Sequence, residues 1–266
     1  MKNIIISIFD DKFIDYAIKM YESVRFFDKE TPLFAGSINL SVVNKNKLKN
    51  LGVTVLQSRN NFFPKHLCMC DLLLEDFLYN VNFDSVMWID ADTIILRPIK
   101  ELFDLNYDYI GHGGNVELGY FENFNKFSAP NIKRSWIKRT IVDGNLVQEN
   151  LWGKHYAMGL WVAKNKKILK DFCYLIYSNK DFWFEGDICS KLLNENYNCL
   201  QLNGFEWALG TRNNHQIFFE NNKVVFKSDN KLFYPYLFSY SRLDNGDRPL
   251  CNAVELFYNK RTHLLS

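Results

Sequence analysis

The 266-residue sequence predicts an α/β protein with a mostly parallel central sheet flanked by helices. Three observations carry that reading. Apolar runs of strand length alternate with amphipathic segments from the N-terminus to about residue 92. The composition, 47% hydrophobic and 23% charged, is that of a globular chain able to bury a sizeable core. One apolar run, Val86-Met-Trp-Ile89, ends on two carboxylates, Asp90 and Asp92, at the kind of strand end where parallel sheets bind ligands.

Taken in order, Asn3 to Phe9 is a short continuous apolar run and reads as a buried strand. From Phe13 to Phe27 the residues Ile14, Ala17, Ile18, Tyr21 and Val24 recur at the spacing of one helical face. Pro32-Leu-Phe-Ala-Gly36 is a second strand and Val42 to Leu51 a polar helix. The Leu51-Gly52 stop then precedes a third strand, Val53-Thr-Val-Leu56. A long helix is expected over Lys65 to Leu78, and a strand over 86–90. Strands and helices that alternate in this way build parallel pairs whose carboxyl ends converge on one cleft.

Several classes of function are disfavoured. The net charge is +2, from 32 basic and 30 acidic residues with no dense basic block, so no nucleic-acid partner is expected. The apolar runs fall short of the about 20 residues a membrane-spanning helix needs. Asp10 and Asp11 stand where a signal peptide would carry its small-residue cleavage site, so the N-terminus reads as a first strand and the location as cytoplasmic. Cys68, Cys70, Cys173, Cys189, Cys199 and Cys251 lack zinc-knuckle spacing and read as reduced thiols. Lys231 to Arg242 sets aromatic and apolar side chains between basic ones, which suits core packing or a peripheral contact with the inner face of a membrane. The oligomeric state has no signature.

The two carboxylates need a physical reason. Like charges one residue apart repel, and burying them is costly unless they are paired or bound to a cation. A divalent cation such as Mn²⁺ or Mg²⁺ takes hard oxygen ligands of this kind.

The run Phe83-Asp-Ser-Val-Met-Trp-Ile-Asp-Ala-Asp-Thr-Ile-Ile-Leu-Arg-Pro-Ile-Lys-Glu-Leu-Phe103, with Lys65-His-Leu-Cys-Met-Cys-Asp-Leu-Leu-Leu-Glu-Asp-Phe77 before it, resembles the central segment of GT-A fold glycosyltransferases. The likeness is to the glycogenin-like and lipopolysaccharide galactosyltransferase-like families, and it extends over about residues 1–200. Lys154-His-Tyr-Ala-Met-Gly-Leu-Trp-Val-Ala163 is similar to their segment lining the donor and acceptor sugars. Phe184-Glu-Gly-Asp-Ile-Cys-Ser-Lys-Leu-Leu-Asn194 is similar to their later acidic segment, but carries Glu185-Gly186-Asp187 where Asp-Gln-Asp is common. That departure leaves retention and inversion both open. Nothing matches the families' His-x-Gly-x-x-Lys-Pro-Trp ending.

The resemblance implies a Rossmann-like nucleotide-diphospho-sugar transferase. One domain, 1–266, would hold the sugar nucleotide in about 1–105 and the acceptor in about 106–266. The enzyme would be a metal-dependent hexosyltransferase, moving a sugar from a UDP-sugar to an oligosaccharide or lipid-linked glycan. Asp90 and Asp92 would hold the metal, with His263 as a candidate third ligand. Ile8, Phe9, Asp10, Lys65, Asp90, Ala91, Tyr156 and Gly159 would contact the donor. Asp187 and Glu185 are the catalytic carboxylates by this reading, although Asp187 also suits a helix N-cap. Among the other histidines, His112 sits in Ile110-Gly-His-Gly-Gly114 without an assigned role. Two other classes remain in view. Asp90-Ala-Asp92-Thr93 fits a haloacid-dehalogenase-like phosphatase with Asp90 as nucleophile, although that fold begins with this strand. A non-catalytic sugar-nucleotide or carbohydrate-binding module is the other.

Overall fold

The computed structural model describes residues 2–57, 79–113, 134–142, 145–153, 156–178, 185–202, 207, 209–210, 215–228, 231–240 and 249–262. The helix expected over Lys65 to Leu78 falls outside these, apart from its flank.

Strand β1, Asn3–Asp10, is buried along nearly its whole length. A short 3₁₀ turn, Asp11–Phe13, follows, and Asp10 caps it by accepting from the Lys12 amide at 2.9 Å. Helix α1, Ile14–Phe27, buries Ile14, Ala17, Met20, Tyr21, Ser23 and Val24, the stripe its periodicity anticipates. Strand β2, Leu33–Ile38, leads to α2, Val42–Asn50, which Ser41 caps through the Asn44 amide. Gly52 then takes φ +72, a left-handed conformation that ends the helix, and β3, Val53–Gln57, returns to the sheet. Next come β4, Ser85–Ile89, and β5, Thr93–Ile95. Beyond them lie β6, Tyr109–Gly113, and a long hairpin of β7, Arg134–Val142, with β8, Asn145–Gly153. Strand β9, Tyr156–Ala163, precedes α3, Lys166–Ser178, and α4, Glu185–Asn196; β10 is Cys199–Leu202.

The central sheet has seven strands in the order β10-β6-β9-β4-β1-β2-β3. Strand β9 runs antiparallel to both its neighbours, and every other pair is parallel. Alternate residues feed two cores, as a pleated sheet covered on both faces requires. Ile5, Met87, Ile89 and Leu160 join Ala17 and Met20 of α1 on one side. Ile4, Ile6, Val86, Trp88 and Trp161 face Ile168 and Phe172 of α3 and Leu193 of α4 on the other.

A third cluster lies at the C-terminal end. Strand β11, Leu209–Gly210, pairs with β15, Leu237–Ser239, which pairs with β5. Strands β12, Ile217–Glu220, β13, Lys223–Ser228, and β14, Lys231–Phe233, form a separate antiparallel sheet. Helix α5, Asn252–Thr262, packs on it through Val254 and Phe257. Within the Lys231–Arg242 stretch Tyr236, Leu237, Phe238 and Tyr240 are buried, while Leu232 and Tyr234 are exposed.

Candidate functional site

Three strands meet at the carboxyl edge of β4. The strand ends at Ile89 and β5 begins at Thr93, so Asp90-Ala91-Asp92 forms the turn between them. The Asp90 amide continues the β4–β9 pairing by donating to the Gly159 carbonyl at 2.9 Å, and the Thr93 amide closes the turn onto the Asp90 carbonyl at 3.2 Å. The Asp92 carbonyl accepts from the Tyr240 amide at 2.7 Å, which ties the turn to the end of β15. Ala91 is buried, and both aspartates are partly exposed.

The Asp90 side chain is oriented from below. Trp88 Nε1 donates to its Oδ1 at 2.8 Å, and the Trp88 ring is stacked on Trp161 of β9 at 5.8 Å and 5°. A rigid, buried indole thus holds one oxygen of a carboxylate that reaches the edge. Its other oxygen, Oδ2, lies beside Gly159: a Cβ at that glycine would stand 3.3 Å from Oδ2 and 3.2 Å from Nε2 of His112. His112 is partly exposed on β6. It had no assigned role in the sequence because nothing in Gly-His-Gly reveals that β6 and the β4 turn approach each other across β9.

The two aspartates are hard oxygen donors suited to a divalent cation. Among the described residues no group of three His, Cys, Asp or Glu side chains is close enough to hold a metal. His263 lies outside the described residues, as does Lys65. Asp90 and Asp92, one residue apart in the turn, are the residues whose oxygens could hold a cation there.

The remaining sequence-nominated residues fall into three groups. At the end of β1, Ile8 and Phe9 are only 5% and 3% exposed, and their side chains belong to opposite cores. Their side chains pack, and Asp10 alone of the three is partly open. Next to it Asp11 accepts from Asn44 Nδ2 at 2.9 Å and from the Ser41 amide, bonds that hold its carboxyl below the ordinary aspartate value. Tyr156 is fully buried, with its ring edge-on to Tyr109 at 5.4 Å and its amide donating to Ser190 Oγ at 2.8 Å. Burial keeps the Tyr156 phenol protonated, and the ring is a packing element behind the site. Glu185 and Asp187 lie in the first turn of α4, with side chains outside the described set. Asp187 is the third residue of that helix, so it is not the N-cap; a carboxylate in the first turn is still favoured by the helix dipole.

The sequence matches no protein-family model and no curated protein. Solved structures do match over nearly the whole chain. An active-site mutant of LgtC aligns with 98% of this chain and 95% of its own, at TM-score 0.59 and 14% identity. The galactosyltransferase LgtC with donor and acceptor sugar analogues gives TM-score 0.56 at 12% identity. The bifunctional glycosyltransferase WbbM aligns at TM-score 0.57 and 16% identity, and this chain spans 49% of it. The glycosyltransferase GlyE of Streptococcus pneumoniae TIGR4 aligns at TM-score 0.58 and 12% identity, with 61% of that chain covered. At such identities the likeness is one of fold, and the chain has the GT-A-type α/β fold of these glycosyltransferases.

Proposed function

We propose that this chain is a metal-dependent glycosyltransferase that moves a hexose from a nucleoside-diphosphate sugar, a UDP-sugar, to an oligosaccharide or lipid-linked glycan acceptor. The observation that carries the reading is the Asp90-Ala91-Asp92 turn at the carboxyl edge of the sheet, with Asp90 held by Trp88. The fold supports it, since the matched structures are glycosyltransferases and one holds donor and acceptor sugar analogues.

Departure of a diphosphate is the difficult step of sugar transfer, and a bound divalent cation supplies charge stabilisation to that leaving group. This chain's residues do the rest. Asp90 and Asp92 would provide the oxygen ligands, Trp88 and the amide bond to Gly159 hold Asp90 in place, and the missing side chain at Gly159 lets Asp90 and His112 approach one position. The end of β1, at Asp10 and Asp11, would hold the nucleotide, and by the family resemblance Lys65 and His263 would be further donor and metal contacts. Asp187, in the first turn of α4, would deprotonate the acceptor hydroxyl or stabilise the cationic transition state, with Glu185 in a lesser role.

The phosphatase reading is disfavoured by order along the chain. Strands β1, β2 and β3 precede β4, whereas a phosphatase of that kind would begin with the nucleophile-bearing strand. The test is Mn²⁺-dependent hydrolysis of UDP-sugars without acceptor. Turnover that is lost in both Asp90→Ala and Asp92→Ala, with the melting temperature nearly unchanged, is the expected result. Release of phosphate from a phosphomonoester would establish the phosphatase instead, and tight UDP-sugar binding with no turnover on any acceptor the binding module. For a lipid-linked acceptor, Leu232 and Tyr234 beside Lys223 and Lys231 are the exposed residues to meet an anionic surface. Vesicle binding at low salt that disappears at high salt is the corresponding check. Among the described residues no helix is long and apolar enough to cross a membrane.

A further inference from the structure

We propose that His112 is a binding residue of this cleft, its imidazole meeting the anionic diphosphate of the donor beside the carboxylate of Asp90. The inference rests on the sugar-nucleotide reading and adds to it a residue from a different strand. Three independent features of the structure converge on it.

The first is a register change. Strands β6 and β9 pair Gly111 with Trp161, but Gly113 with Tyr156, so the ladder shifts across His112. Irregularities of this kind re-aim a side chain next to a site. The second is Gly159, on the strand between β6 and β4. Its missing side chain is what lets His112 Nε2 and Asp90 Oδ2 flank one position, at 3.2 and 3.3 Å from where a Cβ would be. The third is the arrangement of Asp90 itself. Because Trp88 Nε1 occupies Oδ1, the oxygen on the imidazole side is Oδ2. The structure therefore brings a carboxylate oxygen and an imidazole nitrogen to one position, from the β4 turn and from β6, across β9. A diphosphate bound with a divalent cation asks for both, since its oxygens are shared between the metal and N–H donors.

Isothermal titration with UDP and Mn²⁺ tests this on the full chain. His112→Ala should weaken UDP about tenfold at saturating Mn²⁺, the scale of one hydrogen bond to a charged group. Its Mn²⁺ affinity at saturating UDP should stay within about twofold of wild type, because the imidazole is assigned to the phosphate and not to the metal. His112→Gln, which keeps an N–H donor, should recover most of the loss. Asp90→Ala, in contrast, should lose Mn²⁺.

UDP binding by His112→Ala equal to wild type would overturn the assignment, as would a loss of Mn²⁺ affinity matching that of Asp90→Ala. A lowered melting temperature in His112→Ala, with His112→Gln equally weak for UDP, would make the residue a packing element and also overturn it. Wild-type protein that binds no UDP with Mn²⁺ would remove the sugar-nucleotide reading itself, a result distinct from the others.

Discussion

Two turns of this molecule each place an aspartate at the end of an apolar element, and they use it differently. After α1, Asp28 is 5% exposed, and its Oδ1 accepts from the amides of Glu30 and Thr31, both at 3.0 Å. Arg25 completes the turn by donating to the carbonyls of Asp28 and Thr31. Burial works against the charge of Asp28, but the bonds from Thr31 and Glu30 outweigh it and hold the carboxyl below its ordinary value. After β4, Asp90 accepts a side-chain bond from Trp88 through one oxygen, and its other oxygen lies beside Gly159. Backbone amides from its own turn close around Asp28, which makes that carboxylate part of the fold. A side chain from the core orients Asp90 at the end of β4. The residue type is the same, and the source of the hydrogen bonds separates a carboxylate closed into its own turn from the one proposed to meet a ligand.

Substitutions can break that contrast, and the largest effect is expected at the β4 turn. Asp90→Asn keeps an acceptor for Trp88 and removes the charge, so sugar transfer should fall by about a thousandfold while thermal unfolding moves little. Normal transfer by this variant would make Asp90 a structural residue like Asp28. Asp187→Asn should lower turnover by about a hundredfold with UDP binding little changed, the scale of lost general-base assistance, and Glu185→Gln should cost less. A normal Asp187→Asn beside a dead Glu185→Gln would exchange the two roles.

Asp28→Ala should show the opposite profile. Two amides lose their partner, which costs about 1–3 kcal/mol in chemical denaturation, and activity per folded molecule should not change. The effect should depend on pH. A carboxyl whose folded-state value is lowered stabilises the fold above its unfolded-state value and loses that contribution as pH falls through the folded one. The gap between wild type and Asp28→Ala should therefore narrow below about pH 4; a gap that widens on acidification would contradict the proposed bonding.

The smallest effect sharpens the comparison from beneath. Trp88→Phe preserves the stacking surface against Trp161 and deletes only the indole donor to Asp90. A loss of about tenfold in donor binding is expected, in keeping with a hydrogen bond to a charged acceptor. No change at all would mean that the backbone bond to Gly159 positions Asp90 unaided.

The first part of the fold was legible because each element there announces itself locally. Ile14, Ala17, Tyr21 and Val24 can form one stripe only on a helix, and all are buried on α1. The runs at 3–9, 32–36, 53–56 and 86–90 became β1 to β4, in the parallel order that alternation with helices implies. The turn at Asp90 and Asp92 was legible for the same reason, since two charges closing an apolar strand conflict with burial wherever the strand is placed. Tyr156 was harder to place. An aromatic beside an apolar strand can line a site but more often packs, and the full burial of Tyr156 against Tyr109 on another strand puts its ring in the core.

By itself, then, the sequence determined the α/β class, β1 to β4 with α1 and α2, and the carboxylates that end β4, because periodicity and charge conflict are properties of a segment and its solvent. Only the tertiary structure decided that β9 enters the sheet antiparallel between β4 and β6, and that β7 and β8 form a hairpin. It also decided that His112 and Asp90 meet across Gly159. A buried strand carries the same apolar signature whichever neighbour it pairs with and in either direction. Register, and with it the approach of side chains far apart in sequence, is settled only when whole strands pack together.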